Sequence, residues 1–328
     1  MDASSSTFNI RETSLNIQDV GAFVDLVEII RVEDEPNLPA EKRLEWRKNA
    51  VENDGKTCIG YTIESGDQTV GMVNYTNIGN LPNEGTPIDS IVIVKPEFRK
   101  QGYGKQLYES GLERLRELGF DRCFSHVREN NDAGLAFAQH LGFSEVDREY
   151  KLTLDITGLT DEEVKSPADS DIQVSSLAQL KATDSRWLEK LHELSIAFVK
   201  DLPSRVDISG IFPDNLDAFG KLLFTEWDIH PEGSSVAIVD GVWVATTWIT
   251  QAIAESDWCY HLMTGVRPEY RRRGLVKLLK RNGFAWCKKS GIRYIHTIQH
   301  ETNKPMLTLN LNLGFKIMSG YVMLEHQF

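Results

Sequence analysis

The chain repeats itself. Residues 94–143 and 266–315 align without a gap at a constant offset of 172, which carries Arg99 onto Arg271, Gly102 onto Gly274, Gly119 onto Gly291, Asn131 onto Asn303 and the Leu-Gly-Phe run at Leu141 onto that at Leu313. Fifteen of the fifty aligned positions are identical, and most fall on turns, caps and apolar anchors, the positions that set backbone geometry. A repeat of this length means two copies of one folding unit, and 328 residues give each copy room for its own core. Between the copies lies DITGLTDEEVKSPADSD, acidic, with Gly and Pro and no apolar period. It reads as a linker. The expected organisation is a first domain at 1–154, a linker at 155–170 and a second domain at 171–328.

Each copy has the same layout of apolar periods. A short strand (TFNIRE, DIQVSSL) precedes an amphipathic helical stretch. A hairpin follows (TCIGYTIE and TVGMVNYT; SSVAIVD and VWVATTWIT), with turns marked by Gly66-Asp67 and Asp240-Gly241. A strand (DSIVIV, HLMTGV) then runs into a basic, glycine-bearing turn. A helix ends at Gly119 or Gly291, where glycine favours a stop. Another strand, a helix opening near Asn131 or Asn303, and a closing strand complete the unit. The pattern predicts an α/β fold, a mixed sheet with helices against its faces.

The turns read VKPEFRKQGYGKQL and VRPEYRRRGLVKLL. A strand ends, the backbone turns tightly, and a helix opens with N–H groups facing outward, an arrangement that captures anions. Glycine lets a ligand oxygen approach the main chain, and Arg99, Lys100, Lys105 or Arg271, Arg272, Arg273, Lys277 add charge. The net charge of −12 argues against a nucleic-acid partner, yet residues 251–300 hold ten Lys and Arg against three Asp and Glu. A basic patch in an acidic chain points to a discrete anionic ligand. No run of about 18 apolar residues occurs, so no membrane span is expected. The N-terminal stretch has no apolar targeting core. Cys58, Cys123, Cys259 and Cys287 are widely spaced, without a CxxC pair, and are expected as buried thiols of a cytoplasmic protein. His296 and His300 fall in a strand with no third ligand, so no metal site is expected.

Arg-x-x-Gly-x-Gly after a strand, with a helix and a later Asn…Leu-Gly-Phe, resembles the Gcn5-related N-acetyltransferase (GNAT) superfamily, in a tandem layout similar to that of mycothiol synthase. The resemblance implies two tandem GNAT-like domains, each a mixed, mostly antiparallel sheet flanked by helices. It also implies an acyltransferase that moves an acetyl group from acetyl-CoA, as cosubstrate, to a primary amine of a small molecule. A non-catalytic acyl-CoA sensor and a protein-lysine acetyltransferase are the other readings. In that family the turn binds the pyrophosphate and the preceding strand contacts the pantetheine arm. The implied donor site is therefore Val92, Ile93, Val94, Arg99, Lys100, Gln101, Gly102, Tyr103, Gly104, Lys105 and Asn131 in the first copy. In the second it is Thr264, Gly265, Val266, Arg271, Arg272, Arg273, Gly274, Leu275, Val276, Lys277 and Asn303. Copy one keeps glycine at Gly104 where copy two has Val276, which favours the first as donor site; tandem relatives often place catalysis in the second.

Acyl transfer requires the free amine. At an ammonium pKa near 10.4 only about one molecule in a thousand is neutral at pH 7, and a base makes up part of that deficit. Ten residues before each motif arginine stand Asp89 and His261, the candidate bases, with Glu84 and Asp257 in reserve. Asp89 also reads as a strand-edge aspartate, and His261 as a core histidine with both nitrogens satisfied. The family's general-acid tyrosine has no counterpart: Ala138 and Asn310 occupy its place. Asn131 and Asn303 also read as ordinary N-caps.

Overall fold

A computed structural model describes residues 8–30, 39–52, 56–77, 88–160, 162, 171–202, 210–250 and 257–328. In chain order the first copy forms β1 (Phe8–Glu12), α1 (Ile17–Glu28), α2 (Ala40–Glu52), β2 (Cys58–Ser65), β3 (Gln68–Thr76), β4 (Ile88–Val94), α3 (Tyr103–Glu117), β5 (Arg122–Arg128), α4 (Asp132–His140) and β6 (Ser144–Asp155). The second forms β7 (Gln173–Ser176), α5 (Leu177–Thr183), α6 (Trp187–Val199), α7 (Leu216–Lys221), β8 (Ser235–Val239), β9 (Val242–Ile249), β10 (Trp258–Val266), α8 (Leu275–Lys289), β11 (Tyr294–His300), α9 (Lys304–Asn312) and β12 (Lys316–Gln327). Both copies have the expected α/β layout.

The chain packs as two compact units that cut across the covalent order. One lies within Met1–Val127, Asn131–Val146 and Met323–Phe328; the other within Arg128–Asn130 and Asp147–Val322. In the first, β1, β2, β3 and β4 pair antiparallel in sequence. In the second, β7, β8, β9 and β10 do the same. There β11 pairs antiparallel with β6, from Tyr294↔Asp155 to His300↔Glu149. The closing strand of the first copy thus supplies core to the second unit: Leu152 and Leu154 are buried with Ile249, Phe284 and Ile295. The stretch read as a linker begins inside this unit, with Ile156 buried and its N–H donating to the Arg293 carbonyl. The rest of it, apart from residues 156–160 and 162, lies outside the described residues.

Local chemistry explains the hairpins. Asp240 and Gly241 sit at φ of 50° and 77°, the pair of positive values that a two-residue turn between twisted strands requires. Buried Val236 and Val244 on the strands they join secure the register.

One departure from regular pairing shapes the site. β4 pairs along its length with β3, but with β5 only at Ile88↔Cys123 and Asp89↔Phe124. Its counterpart β10 pairs in parallel with β11 only at Trp258, Cys259 and Tyr260. Past those points each pair of strands diverges, and one edge of β4 and of β10 leaves its ladder. Backbone donors and acceptors need partners, so such an edge offers main-chain hydrogen bonds to a ligand.

Candidate active site

The two turns share a backbone conformation. Lys100 and Arg272 have φ of 60° and 62°, and Gly102 and Gly274 have 86° and 77°. These glycines are the N-caps of α3 and α8 and supply no side-chain cap. The first N–H groups of each helix are therefore left to a ligand or to water. The motif arginines brace the turns from behind: Arg99 Nε donates to the Val94 carbonyl at 2.9 Å and Arg271 Nε to the Val266 carbonyl at 3.4 Å.

Around the second turn there is a cavity of about 550 Å³. Thr264, Gly265 and Val266 line it from β10, and Arg271, Arg272, Gly274, Leu275, Val276 and Lys277 from the turn and the start of α8. Asn303, Pro305, Met306 and Leu309 close it from α9 and its cap, and Phe198, Asp201 and Leu202 from the end of α6 and the residues just after it. Arg271 is ion-paired there with Asp201. Of the donor-site residues named from the sequence in the second copy, Arg273 alone does not line it; its guanidinium lies over the Tyr270 ring, 5.6 Å from the centroid. The α6 residues carry no motif that could have announced them.

At the first turn the corresponding space is partly filled. A Cβ on Gly104 would stand 2.9 Å from the Phe137 ring, so this glycine accommodates the aromatic side chain on α4. The second copy pairs Val276 with Leu309 at the same two positions, a smaller side chain on the last helix against a larger one on the turn. Tyr103 stacks on Phe8 at 4.3 Å between centroids. Gln101 reaches the Glu97 carbonyl and Lys105 pairs with Glu109. Lys100 is exposed, Val92 and Val94 are half-buried, and Ile93 is in the core. Asn131 and Asn303 are both N-caps, accepting from Gly134 N at 3.0 Å and Met306 N at 3.3 Å; Asn303 lines the cavity as well.

The acetyltransferase (GNAT) family model matches this chain twice, over residues 23–143 and 204–315. The chain belongs to the GNAT family. It is an acyltransferase of the N-acetyltransferase type. A [ribosomal protein bS18]-alanine N-acetyltransferase of Escherichia coli K12 is 26% identical over 129 residues, 36% of this chain and 84% of that protein. The Salmonella typhimurium enzyme is 28% identical over 116 residues, 33% and 76% respectively. In fold, the chain is similar to a tandem GNAT protein from the clavulanic acid biosynthesis pathway, with a TM-score of 0.74, 17% identity and 98% of both chains covered. It is also similar to a GCN5-related N-acetyltransferase from Sphaerobacter thermophilus, with a TM-score of 0.73, 16% identity and 98% and 95% covered.

The candidate bases of this GNAT protein occupy different surroundings. Asp89 is half-buried at the last paired position before β4 and β5 diverge. His261 is 2% exposed. Its Nε2 lies 2.9 Å from Thr247 Oγ1 and its Nδ1 3.4 Å from Lys280 Nζ. It is a core histidine, out of reach of direct contact with a ligand. Burial, reinforced by the neighbouring Lys280, holds it well below the usual imidazole range. Asp257 is exposed, and its carbonyl accepts from Arg293 N and Tyr294 N. Glu84 lies outside the described residues. His300 is sandwiched between Asp147 (2.9 Å) and Glu149 (3.2 Å). Among the described residues no group of three or more His, Cys, Asp or Glu is placed to hold a metal ion, and no helix is long and apolar enough to cross a membrane.

Asn310 is fully buried, and both of its side-chain amide atoms are without a hydrogen-bond partner. A buried unpaired polar group costs about 1–3 kcal/mol. Asn310→Leu, which keeps the branching at Cγ and removes both polar atoms, is expected to raise the thermal midpoint of unfolding by several degrees. A lower midpoint would show that the amide has a partner in solution.

Proposed function

We propose that the protein transfers an acetyl group from acetyl-CoA to a primary amine of a small molecule, with the donor held in the second copy. The observation that carries this reading is the cavity, which brings together an uncapped helix N-terminus, cationic side chains and the unpaired edge of β10. A pyrophosphate suits the N–H groups of Leu275, Val276 and Lys277, because partial positive charge at a helix start favours anions. Arg272 and Lys277 add full charges, and Arg271 joins them when it is drawn from Asp201. The edge of β10 suits the amides of a pantetheine arm. An acyl carbonyl placed against that edge would be polarised by main-chain donors. The acyl donor supplies an activated carbonyl with a thiolate leaving group.

The acceptor must arrive as a free amine. Among the described residues the ring partners of His261 are Thr247 and Lys280, not a carboxylate, so a base on that side acts through intermediaries. We further propose that residues 155–170 mark the seam of an ancestral duplication whose last strands are shared between the packed units. A second acceptor class, a protein α-amine, is favoured by the relatives named for ribosomal-protein alanine.

The test is direct. Purified protein is incubated with acetyl-CoA and either a panel of small amines or peptides with free N-terminal alanine, and thiol release is followed. Acceleration by a small amine supports the first reading and acceleration by the peptides the second. If coenzyme A binds and neither accelerates release, the protein is a non-catalytic acyl-CoA binder.

A further inference from the structure

The second unit contains a continuous run of hydrogen-bonding side chains leading from the cavity into its core. Thr264 lines the cavity. Its Oγ1 is 3.1 Å from Thr247 Oγ1, which is 2.9 Å from His261 Nε2; His261 Nδ1 is 3.4 Å from Lys280 Nζ. Thr247 is the cross-strand partner of Thr264, and a register shift between His261 and Met263 brings His261 onto the same hydroxyl. Thr247, His261 and Lys280 are all at most 2% exposed.

The donor inventory gives the run a direction. An ammonium donates only, so Lys280 donates to Nδ1. The imidazole proton then sits on Nε2 and points at Thr247. The Thr247 hydroxyl faces Thr264 at 3.1 Å and the Met263 carbonyl at a longer 3.4 Å. Thr264 is left to donate into the cavity. Among the described residues the side-chain partners of this buried lysine are an imidazole and a phenylalanine face (Phe315, 5.5 Å), not a carboxylate. Burial lowers its ammonium to about 7, so both protonation states are accessible near neutrality.

We propose that Lys280, His261, Thr247 and Thr264 form a proton relay that serves the leaving thiolate of the acyl donor. This rests on the donor binding in the second copy. As the acceptor nitrogen bonds to the acyl carbon and the carbon–sulfur bond breaks, sulfur takes the Thr264 proton. Thr264 is refilled from Thr247, Thr247 from His261 Nε2, and His261 Nδ1 from the Lys280 ammonium, which becomes neutral. The acceptor's surplus proton goes to solvent. After the thiol departs, a solvent proton enters by the cavity and runs the chain in reverse.

The test uses coenzyme A and desulfo-coenzyme A as probes on the full chain with 15N-labelled histidine. Coenzyme A is expected to shift the His261 ring 15N resonances and desulfo-coenzyme A to leave them in place. In Thr264→Val, which conserves shape, the thiol-dependent shift should vanish although coenzyme A still binds by calorimetry. Single-turnover thiol release from acetyl-CoA should fall at least about 10-fold in Thr264→Val and in Lys280→Met, with one pH profile shared by the two variants. A thiol-dependent shift that survives Thr264→Val, or no shift in the wild type although coenzyme A binds, would overturn the relay and leave the donor site standing. Absence of any coenzyme A binding would overturn both.

Discussion

Gly274→Glu is expected to lower affinity for coenzyme A by at least about 100-fold, close to loss of measurable calorimetric heat. Three effects act together. The new carboxylate stands at the start of α8, where the site offers an anion its partial positive charge, worth roughly 0.3–1 kcal/mol per charge. It also faces the bound phosphates. At about 4 Å and an effective dielectric near 20 that repulsion alone is about 4 kcal/mol, beyond the roughly 2.7 kcal/mol that 100-fold requires. Finally, Gly274 has a φ of 77°, a conformation that costs a side-chain-bearing residue about 1–2 kcal/mol. The same substitution at Gly102, φ 86°, meets the same local strain but lies at the turn where Phe137 closes on Gly104. It is expected to leave the coenzyme A isotherm within about 2-fold. If Gly102→Glu removes binding and Gly274→Glu does not, the donor belongs to the first copy.

Lys280→Met is expected to stabilise the protein at pH 7 while slowing acyl transfer. The folded-state pKa of Lys280 is lowered by burial from 10.5 to about 7. Between those values the unfolded chain binds a proton that the native state does not, so native stability rises with pH across the window from about 7 to 10.5. Below about pH 7 both states are protonated and the full penalty of a buried cation is present. Replacing buried charge by apolar volume is typically stabilising by about 1–4 kcal/mol. Leaving His261 Nδ1 without its partner offsets about 1–3 kcal/mol of that. The gain should be greatest near pH 6–7 and vanish by about pH 10, read from denaturant midpoints at several pH values. An equal effect at pH 7 and pH 10 would show that Lys280 stays ionised in the fold. A gain in stability coupled to a loss of turnover is the pattern of a residue kept for function.

Much of this protein is written in short-range chemistry. The two turns, their positive-φ glycines, the asparagine caps and the hairpin at Asp240-Gly241 are each enforced within a few residues, by backbone sterics and by hydrogen bonds to N–H groups two or three positions away. Such features leave their mark on a local string of amino acids, and the gapless repeat at 172 makes them legible twice. The divergence of β10 from β11 belongs with them only in part, since the strands were readable but their parting point was not.

Other features arise only when distant segments meet. Gly104 reads as room for a phosphate, yet the atom it avoids belongs to Phe137, on another helix. His261 reads as a base, but it is buried, with Thr247 on β9 and Lys280 on α8 as its ring partners. The cavity owes one wall to Phe198 and Leu202, which no motif marks. The closing strand of the first copy lies against β11 of the second, because duplicated strands with the same alternation fit either sheet and pairing energy depends on register and burial, not on chain order. Local sterics and capping are properties of neighbouring residues, whereas solvent exclusion and side-chain networks belong to whatever the fold brings alongside.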